Sequence, residues 1–461
     1  MAGDHRTGTR TAAGQAPRPE VGVPPRPTAA RLAVLLLVAV PAAVVCERGR
    51  MSERVVVVGA GECGTHAAVA LRDRGYDGEV TVVGREDVRA YERPPLSKGV
   101  FGPEAPLVHP WTAEQLAEAG VGLRLGVDVT ALDRSRRVVT TSDGELPYDR
   151  LLLATGSRVR RLDGDPAGVA YLRTHEDAAA MRALARPGGR LLVVGAGLIG
   201  LEVASSAREA GMEVLVVEAG EGVLGRVVPP AVAAEVVALH RAGGVDVRLA
   251  TTLAALEDGA DSEGGAGRRV AVLDDGSRVE VDGVVAGIGA TPAVELAEAA
   301  GLPLDAEVGG VVVDERLRTA DPDVWAAGDV AAYPDPWSGQ RVRVESWRSA
   351  HDMAETAAAS MLGRAEAHAA VPWLWSEQHG LMLQVSGIPP AADRWVVRER
   401  EDGVRVHLGL SDDGRLVAAA ALGPGPVVAR DIRAAERVVA ARTTPDPAAL
   451  ADPAVSLRSL A

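Results

Sequence analysis

The sequence predicts an α/β fold of two dinucleotide-binding units, one inserted into the other, followed by a C-terminal α+β unit. Two observations carry this prediction. Two segments of the 461-residue chain repeat the order strand, glycine turn, helix, strand and acidic residue. Near the C-terminal end, four strand-like runs precede one helical run.

The composition is typical of a folded protein, and its charge does not favour binding to nucleic acids. Apolar residues make up 47% and charged residues 24%, which argues against disorder and against a multi-span membrane protein. Since 49 basic residues face 63 acidic ones, the net charge is −14, and no nucleic-acid partner is expected. Two cysteines are too few for a disulfide framework, so the expected location is cytoplasmic.

Residues 1–50 are expected to be a disordered or mis-assigned N-terminal extension. Residues 1–30 lack apolar periodicity, and the uncharged run 32–46 is too short for a membrane span. A signal peptide or anchor is one reading of this run, and translation from Met51 is the other. We favour the start at Met51 and expect no membrane partner.

The first dinucleotide-binding unit begins with the apolar run 54–58, which suits a buried parallel strand. Gly59, Gly61 and Gly64 follow it and open a predicted helix over 62–74. A second strand over 79–83 leads to Glu86, positioned to accept hydrogen bonds from a ribose. In such Rossmann-like units, the glycines make the turn, admit a pyrophosphate and let the helix pack on the strand.

The second unit repeats this arrangement. A strand over 190–194 precedes Gly195, Gly197 and Gly200, and a strand over 213–217 ends at Glu218. A carboxylate at 218 would repel a 2′-phosphate, and no base lies among the next three residues. The sequence therefore favours NADH over NADPH.

Four further motifs carry a family resemblance. They are YERPPLSK at 91–98, LLLATG at 151–156, VWAAGD at 324–329 and VPWLWSEQ at 371–378. With the two glycine turns, they make the chain resemble the FAD/NAD-dependent ferredoxin reductases. That group includes putidaredoxin reductase, rubredoxin reductase, the reductase components of aromatic-ring dioxygenases and apoptosis-inducing factor.

The resemblance implies cofactors and site residues. FAD would bind at the first glycine turn and NAD at the second. Glu86 would hold the adenosine ribose, Asp329 the ribityl chain, and Trp347 would lie beside the flavin. Lys98 and Glu202 would form the catalytic pair. The other implied cofactor-binding residues are Arg93, Ala154, Thr155 and Gly156.

Lys98 stands out without any family argument, because it is the only lysine among 49 basic residues. A compact ammonium and a planar guanidinium are not interchangeable in a confined site. We therefore expect Lys98 to act at the flavin.

The cysteines indicate where electrons would go. No cysteine pair occurs near the flavin segments, and Cys63 in the first glycine turn is expected to be a packing residue. The nine histidines show no metal-ligand spacing, so no metal is predicted. Electrons would then pass directly to an outside carrier, and Arg343, Arg348 and Arg394 are candidates for its docking surface.

The function implied is NADH-dependent reduction of an iron-sulfur ferredoxin or a rubredoxin, serving a cytochrome P450 or a ring-hydroxylating dioxygenase. One alternative is an NADH-responsive sensor resembling apoptosis-inducing factor. Another is a reductase module for nitrite reduction. The sequence leaves the oligomeric state open.

The predicted domains follow from these assignments. The FAD domain comprises 51–159 and 283–345, with an NAD domain at 160–282 inserted between its halves and a hairpin loop at 257–268. Residues 346–461 form the C-terminal α+β domain. Its predicted strands are 381–385, 394–398, 404–408 and 416–420, and its helix is 427–441.

Overall fold

The computed structural model describes residues 53–104, 106–259 and 268–461. The run 32–46 and the expected start at Met51 therefore lie outside the described residues. The first strands are β1 Arg54–Val58, β2 Glu79–Val83, β3 Val121–Arg124, β4 Val129–Asp133, β5 Val138–Thr141, β6 Gly144–Pro147, β7 Arg150–Leu153, β8 Ser157–Val159, β9 Val169–Ala170, β10 Arg190–Val194, β11 Glu213–Val217, β12 Val245–Arg248 and β13 Leu253–Asp258.

The remaining strands are β14 Arg269–Leu273, β15 Arg278–Val281, β16 Gly283–Ala286, β17 Ala290–Pro292, β18 Val311–Val312, β19 Val324–Ala326, β20 Ala331–Pro334, β21 Arg341–Val342, β22 Trp373–Gln378, β23 Leu381–Gly387, β24 Arg394–Glu399, β25 Arg405–Leu410 and β26 Leu416–Gly423. The helices are α1 Glu62–Asp73, α2 Ala113–Glu118, α3 His175–Arg182, α4 Leu198–Glu209, α5 Pro230–Ala242, α6 Glu295–Ala299, α7 Trp347–Met361, α8 Gly425–Ala441 and α9 Pro447–Ala451.

The first sheet is parallel, with strand order β19-β7-β1-β2-β3. Val55–Val58 of β1 are buried at its centre, as the apolar run predicts. The chain leaves β1 for β2 on one side and reaches β7 on the other. Ligands bind at such switch points beyond the carboxyl ends of parallel strands, where the first glycine turn lies.

The second sheet repeats this design with the order β12-β11-β10-β16-β9. The expected boundary at 283 is wrong, because β16 pairs with β10 and belongs to this sheet. The chain crosses between the two sheets through β8 and β17, which pair antiparallel. The second glycine turn follows β10, again at the central strand.

The C-terminal sheet is antiparallel, with the order β22-β23-β26-β25-β24, and α8 packs on one face. Leu383, Val385 and Ala420 share a core with the second sheet and its helices. This packing brings β22 beside α4 and positions polar residues of β22 at the site described below.

Helix α7 does not belong to the C-terminal sheet, so the expected boundary at 346 is also wrong. Met353, Ala354, Ala357 and Met361 pack in the core of the first sheet, against α1. The small residues allow the two helices to approach closely. The first unit therefore includes α7.

Most predicted elements are present with slightly different ends. The four C-terminal strands and the final helix correspond to β23 to β26 and α8. Strand β22 was not predicted, because its residues do not alternate between apolar and polar. Strands β13 and β14 pair antiparallel as a hairpin, and residues 260–267 between them lie outside the described residues.

Candidate cofactor and hydride-transfer site

The first glycine turn is shaped by close backbone contacts. Gly59 has φ +116°, and a Cβ there would lie 2.1 Å from the Ala154 carbonyl oxygen. A Cβ on Gly64 would lie 1.9 Å from the Gly59 oxygen, so only glycine lets α1 pack against the turn. A Cβ on Gly61 would meet no atom within 4 Å. Gly61 thus leaves open space where a pyrophosphate would approach.

The second turn has the same geometry. Gly195 has φ +98°, and a Cβ there would lie 2.6 Å from the Gly287 oxygen. A Cβ on Gly200 would lie 2.2 Å from the Gly195 oxygen. The middle glycine, Gly197, is the open position, with its nearest atom at 3.6 Å. The two turns are therefore equivalent in shape.

A cavity of about 1740 Å³ joins the two turns. Its wall includes these predicted site residues: Gly59, Gly61, Glu86, Arg93, Lys98, Ala154, Thr155, Gly156, Gly197, Glu202, Asp329 and Trp347. Gly64, Gly195, Gly200 and Glu218 are not part of the wall. The three glycines instead make the close backbone contacts described above.

Lys98 and Glu202 meet at this wall. Lys98 Nζ lies 2.8 Å from Glu202 Oε1, and the two side chains are 16% and 4% exposed. The ammonium also lies 5.5 Å from the centre of the Trp375 ring, within cation–π range. The lysine therefore occupies a confined space between a carboxylate and an indole.

Glu202 is the centre of a larger hydrogen-bond network. Ser97 and Ser376 donate their hydroxyl protons to its two carboxylate oxygens, and the Glu377 amide donates to Oε1 at 3.3 Å. Gln378 Nε2 donates to Ser376 Oγ at 3.1 Å. These donors fix the carboxylate in one orientation.

The network continues away from the cavity to two histidines. His240 Nε2 donates to Gln378 Oε1, and the His240 and His379 rings are joined by a 3.1 Å hydrogen bond. Burial lowers the pKa of His240 to about 4, so this ring is neutral near pH 7. The network thus links Glu202 to α5 without adding a charge.

Glu86, another residue of the cavity wall, is bound by its neighbours. Tyr91 donates its hydroxyl proton to Glu86 Oε2 at 2.6 Å, and Arg93 pairs with Oε1. Burial opposes ionisation, but Arg93 and the Tyr91 hydroxyl outweigh it and lower the pKa of Glu86. A ribose hydroxyl would therefore meet an ionised acceptor.

The predicted flavin-side residues cluster around Gly156, which has φ +69°. Thr155 donates its hydroxyl proton to the Ala293 carbonyl at 2.7 Å, which ties the turn to the segment after β17. Asp329 Oδ2 accepts from Ser157 at 2.8 Å and lies 3.5 Å from Arg173. Asp329 thus faces the cavity near a cation.

Trp347 lies on the wall at the start of α7. Its ring stacks on His351 at 5.3 Å and meets Trp375 edge-on at 6.2 Å. Its buried Nε1 has no hydrogen-bond partner. An indole N–H without a partner is costly, so a bound group with an acceptor atom would satisfy it.

Glu218 does not face the cavity. Its carboxylate accepts from the Ala196 amide at 2.7 Å and from the Gly220 amide at 2.8 Å. In this position it stabilises the second glycine turn. Its role toward a ribose stays a prediction.

The structure places Cys63 as a protonated packing residue and Arg343 away from the protein surface. Burial, with smaller effects from Asp329 and Glu62, raises the pKa of the Cys63 thiol, so it stays protonated. Arg343 was expected to lie on a docking surface, but it is not a surface residue. Its side chain is 11% exposed and binds Glu345 and two carbonyl oxygens. Arg394 is exposed.

Four contacting residues were missed by sequence reasoning: Ser97, Tyr91, Arg173 and Ser376. Ser97, Tyr91 and Ser376 lie inside the quoted motifs at 91–98 and 371–378, which was the available signal. Arg173 lies in no motif. Its contact with Asp329 joins residues 156 positions apart, which no local pattern predicts.

Comparison with known proteins decides the family. Residues 53–354 match the family described as pyridine nucleotide-disulphide oxidoreductase. The chain belongs to this family. Residues 373–461 match the reductase C-terminal family. The family resemblance predicted from the sequence is confirmed.

Several relatives are named reductases. The chain is 42% identical over 413 residues to the ferredoxin–NAD(+) reductase component of the anthranilate 1,2-dioxygenase system of Burkholderia cepacia, covering 88% of this chain and 98% of the relative. It is 39% identical to putidaredoxin reductase CamA of Pseudomonas putida, covering 75% and 83%.

A solved structure of similar shape is a covalent putidaredoxin reductase–putidaredoxin complex. The TM-score is 0.81 at 34% identity, and the match covers 88% of this chain and 98% of that chain. The α/β fold with its C-terminal unit is therefore confirmed. Within the described ranges, no helix is both long and apolar enough to cross a membrane.

Proposed function

We propose that this protein takes a hydride from NADH onto FAD and passes electrons singly to a ferredoxin or a rubredoxin. One observation carries the proposal: both glycine turns open into a single cavity whose wall holds the Lys98–Glu202 pair. Two dinucleotides bound at these turns would meet at that pair. The named relatives are reductases of ferredoxin, putidaredoxin and rubredoxin.

The residues present fit the two cofactors. Gly61 and Gly197 leave room at the starts of α1 and α4, where a pyrophosphate gains from amide groups and the helix dipole. Glu86 offers an ionised acceptor and Trp347 an unpartnered donor. When bound, FAD supplies the chemistry that accepts a hydride and releases electrons one at a time.

The residues of the chain would position and stabilise the reacting groups. Glu202 holds the Lys98 ammonium in one place, and Ser97, Ser376 and the Glu377 amide hold Glu202. A fixed ammonium at the wall stabilises negative charge that develops beside it. Hydride transfer also needs close alignment, which such fixed side chains favour.

A thiol route for the electrons finds no support in the described residues. Cys63 is the only cysteine there, and it is buried with a raised pKa. Electrons would therefore leave for an outside carrier directly. Since the chain has only two cysteines, we also propose a cytoplasmic location.

Steady-state oxidation of NADH, measured against a panel of purified ferredoxins and rubredoxins, tests this function. We expect the purified protein to be yellow, to contain one FAD and to reduce at least one carrier. A colourless protein that takes up no added FAD would refute the proposal. Reduction of ferricyanide but of no iron-sulfur carrier or rubredoxin would refute the assignment of the acceptor.

A further inference from the structure

A cluster of two histidines and a glutamate lies between α1 and α7. Glu62, His66 and His351 each place one potential ligand atom within 4.8 Å of the others. The histidines are 285 residues apart, so their spacing in the sequence could not predict this arrangement. This cluster therefore bears directly on the prediction that the chain has no metal site.

His66 has the arrangement of a metal-binding imidazole. Its Nε2 lies 2.9 Å from Glu355 Oε1, and Glu355 is held in turn by Arg74 at 2.7 Å. A carboxylate bound to one ring nitrogen fixes the tautomer and leaves the other nitrogen a free lone pair. That nitrogen, Nδ1, is buried and has no hydrogen-bond partner.

Glu62 supplies a second, independent sign of a missing ligand. Its side chain is 10% exposed, and Oε1 lies 3.1 Å from His351 Nδ1. The other oxygen, Oε2, is buried and has no partner. A buried carboxylate oxygen without a donor costs free energy, and a bound cation would remove this cost.

The surrounding charges favour a cation. Asp352 and Glu355 act on His351, and Glu92 lies close enough to Glu62 to be affected by its charge. Arg74 and Arg348 are the cations paired with these carboxylates. Four carboxylates against two guanidinium groups leave a local negative surplus when the imidazoles are neutral.

We propose that Glu62, His66 and His351 bind a divalent transition-metal ion, with Zn²⁺ as the best match. Two imidazole nitrogens and a carboxylate are a common zinc ligand set, and water completes a tetrahedral site. Mg²⁺ and Ca²⁺ prefer all-oxygen ligands and fit less well. This proposal does not depend on the function proposed above.

The position of the site gives it a structural effect. Glu62 is the first residue of α1, next to Gly61, and the His351 ring stacks on Trp347 at 5.3 Å. A metal would tie α1 to α7 beside the cofactor cavity. Ligands that bind only the folded state raise its stability, so Zn²⁺ should raise the melting temperature.

The test uses the full-length protein as purified, stripped with a chelator and titrated with Zn²⁺ by calorimetry, with metal analysis after dialysis. We expect one zinc per chain and loss of that zinc in the H66A/H351A double variant. The matched control H109A removes a histidine outside the cluster and should retain it. Glu355→Gln should weaken binding about 10- to 100-fold, because it removes the carboxylate behind His66.

A second group, Asp87, His175 and Glu176, could also hold a metal and is the main competitor. Zinc that persists in H66A/H351A but is lost in H175A would overturn the proposal, as would no binding by the wild type. If the double variant does not fold, Co²⁺ absorption decides. Visible bands of tetrahedral cobalt that survive in the single H351Q variant would overturn the proposal, and their loss would support it.

Discussion

Ser376 of β22 donates a hydrogen bond to Glu202 of α4 across the contact between the C-terminal sheet and the second unit. The two residues are 174 positions apart in the chain. The C-terminal unit thus contributes directly to the orientation of the carboxylate that binds Lys98. Its function includes completing the site.

We expect Ser376→Ala to slow flavin reduction by NADH roughly 10- to 150-fold. The loss of a hydrogen bond to a charged group costs about 1.5–3 kcal/mol, and 1.36 kcal/mol corresponds to a factor of ten in rate. Stopped-flow absorbance measures the rate. Ser386→Ala is a matched control, because Ser386 is buried in the same sheet and its hydroxyl has no partner. Equal rates in both variants would contradict the role of Ser376.

Lys98→Arg should slow flavin reduction by on the order of 100-fold while changing the melting temperature little. The ammonium is enclosed by Glu202 and the Trp375 ring, so a larger planar group must displace one of them. Displacements of about 1 Å near reacting groups have effects of this size. An unchanged stopped-flow rate would show that the lysine pairs with Glu202 without acting at the flavin.

The sequence predicted the parts of this site that depend on local backbone geometry. The glycine spacing predicted two turns, and the contacts of Gly59, Gly64, Gly195 and Gly200 give the physical reason. The contacts of Gly64 and Gly200 arise within one strand–turn–helix unit, so a short sequence pattern is enough to predict the turn.

Contacts between distant segments of the chain could not be predicted from short sequence patterns. The family resemblance, and not spacing, suggested that Lys98 meets Glu202. Ser376 lies in the motif at 371–378, but the motif did not indicate that Ser376 contacts Glu202. The boundary errors have the same origin. Strand β16 and helix α7 are assigned by their partners, β10 and α1, and the apolar pattern of a segment does not identify its partner.

Glu218→Ala should shift the preference between NADH and NADPH toward NADPH by about tenfold in the ratio of kcat/KM values. The substitution removes the negative charge that a 2′-phosphate would meet, and it frees the Ala196 and Gly220 amides that the carboxylate binds. Steady-state kinetics with both nucleotides measures this. Glu221→Ala is the control, because it removes an exposed charge from the same loop. A ratio that moves equally in both variants would indicate a general charge effect.

Two substitutions in the first glycine turn should distinguish an effect on FAD binding from an effect on folding. Gly61→Ala should alter the free energy of unfolding of the FAD-free protein by no more than about 0.5 kcal/mol, because its Cβ would meet no atom within 4 Å. It should abolish tight FAD binding, because the added methyl group would occupy the space that a pyrophosphate would enter. Gly64→Ala should destabilise the fold by about 3 kcal/mol or more, because its Cβ would lie 1.9 Å from a backbone oxygen. Denaturant unfolding and flavin content measure the two effects. Retention of FAD by Gly61→Ala would place the pyrophosphate elsewhere.

Acid should destabilise the protein through His368. Burial lowers the pKa of this ring from 6.5 to about 4, so the folded state stays neutral while the unfolded state takes up a proton. The stabilising contribution is present above pH 6.5 and is lost as the pH falls toward 4, and it amounts to about 3 kcal/mol. His368→Gln should therefore show a smaller loss of unfolding free energy across this range than the wild type. Denaturant unfolding at several pH values checks this, and identical slopes would mean that His368 takes up its proton without unfolding.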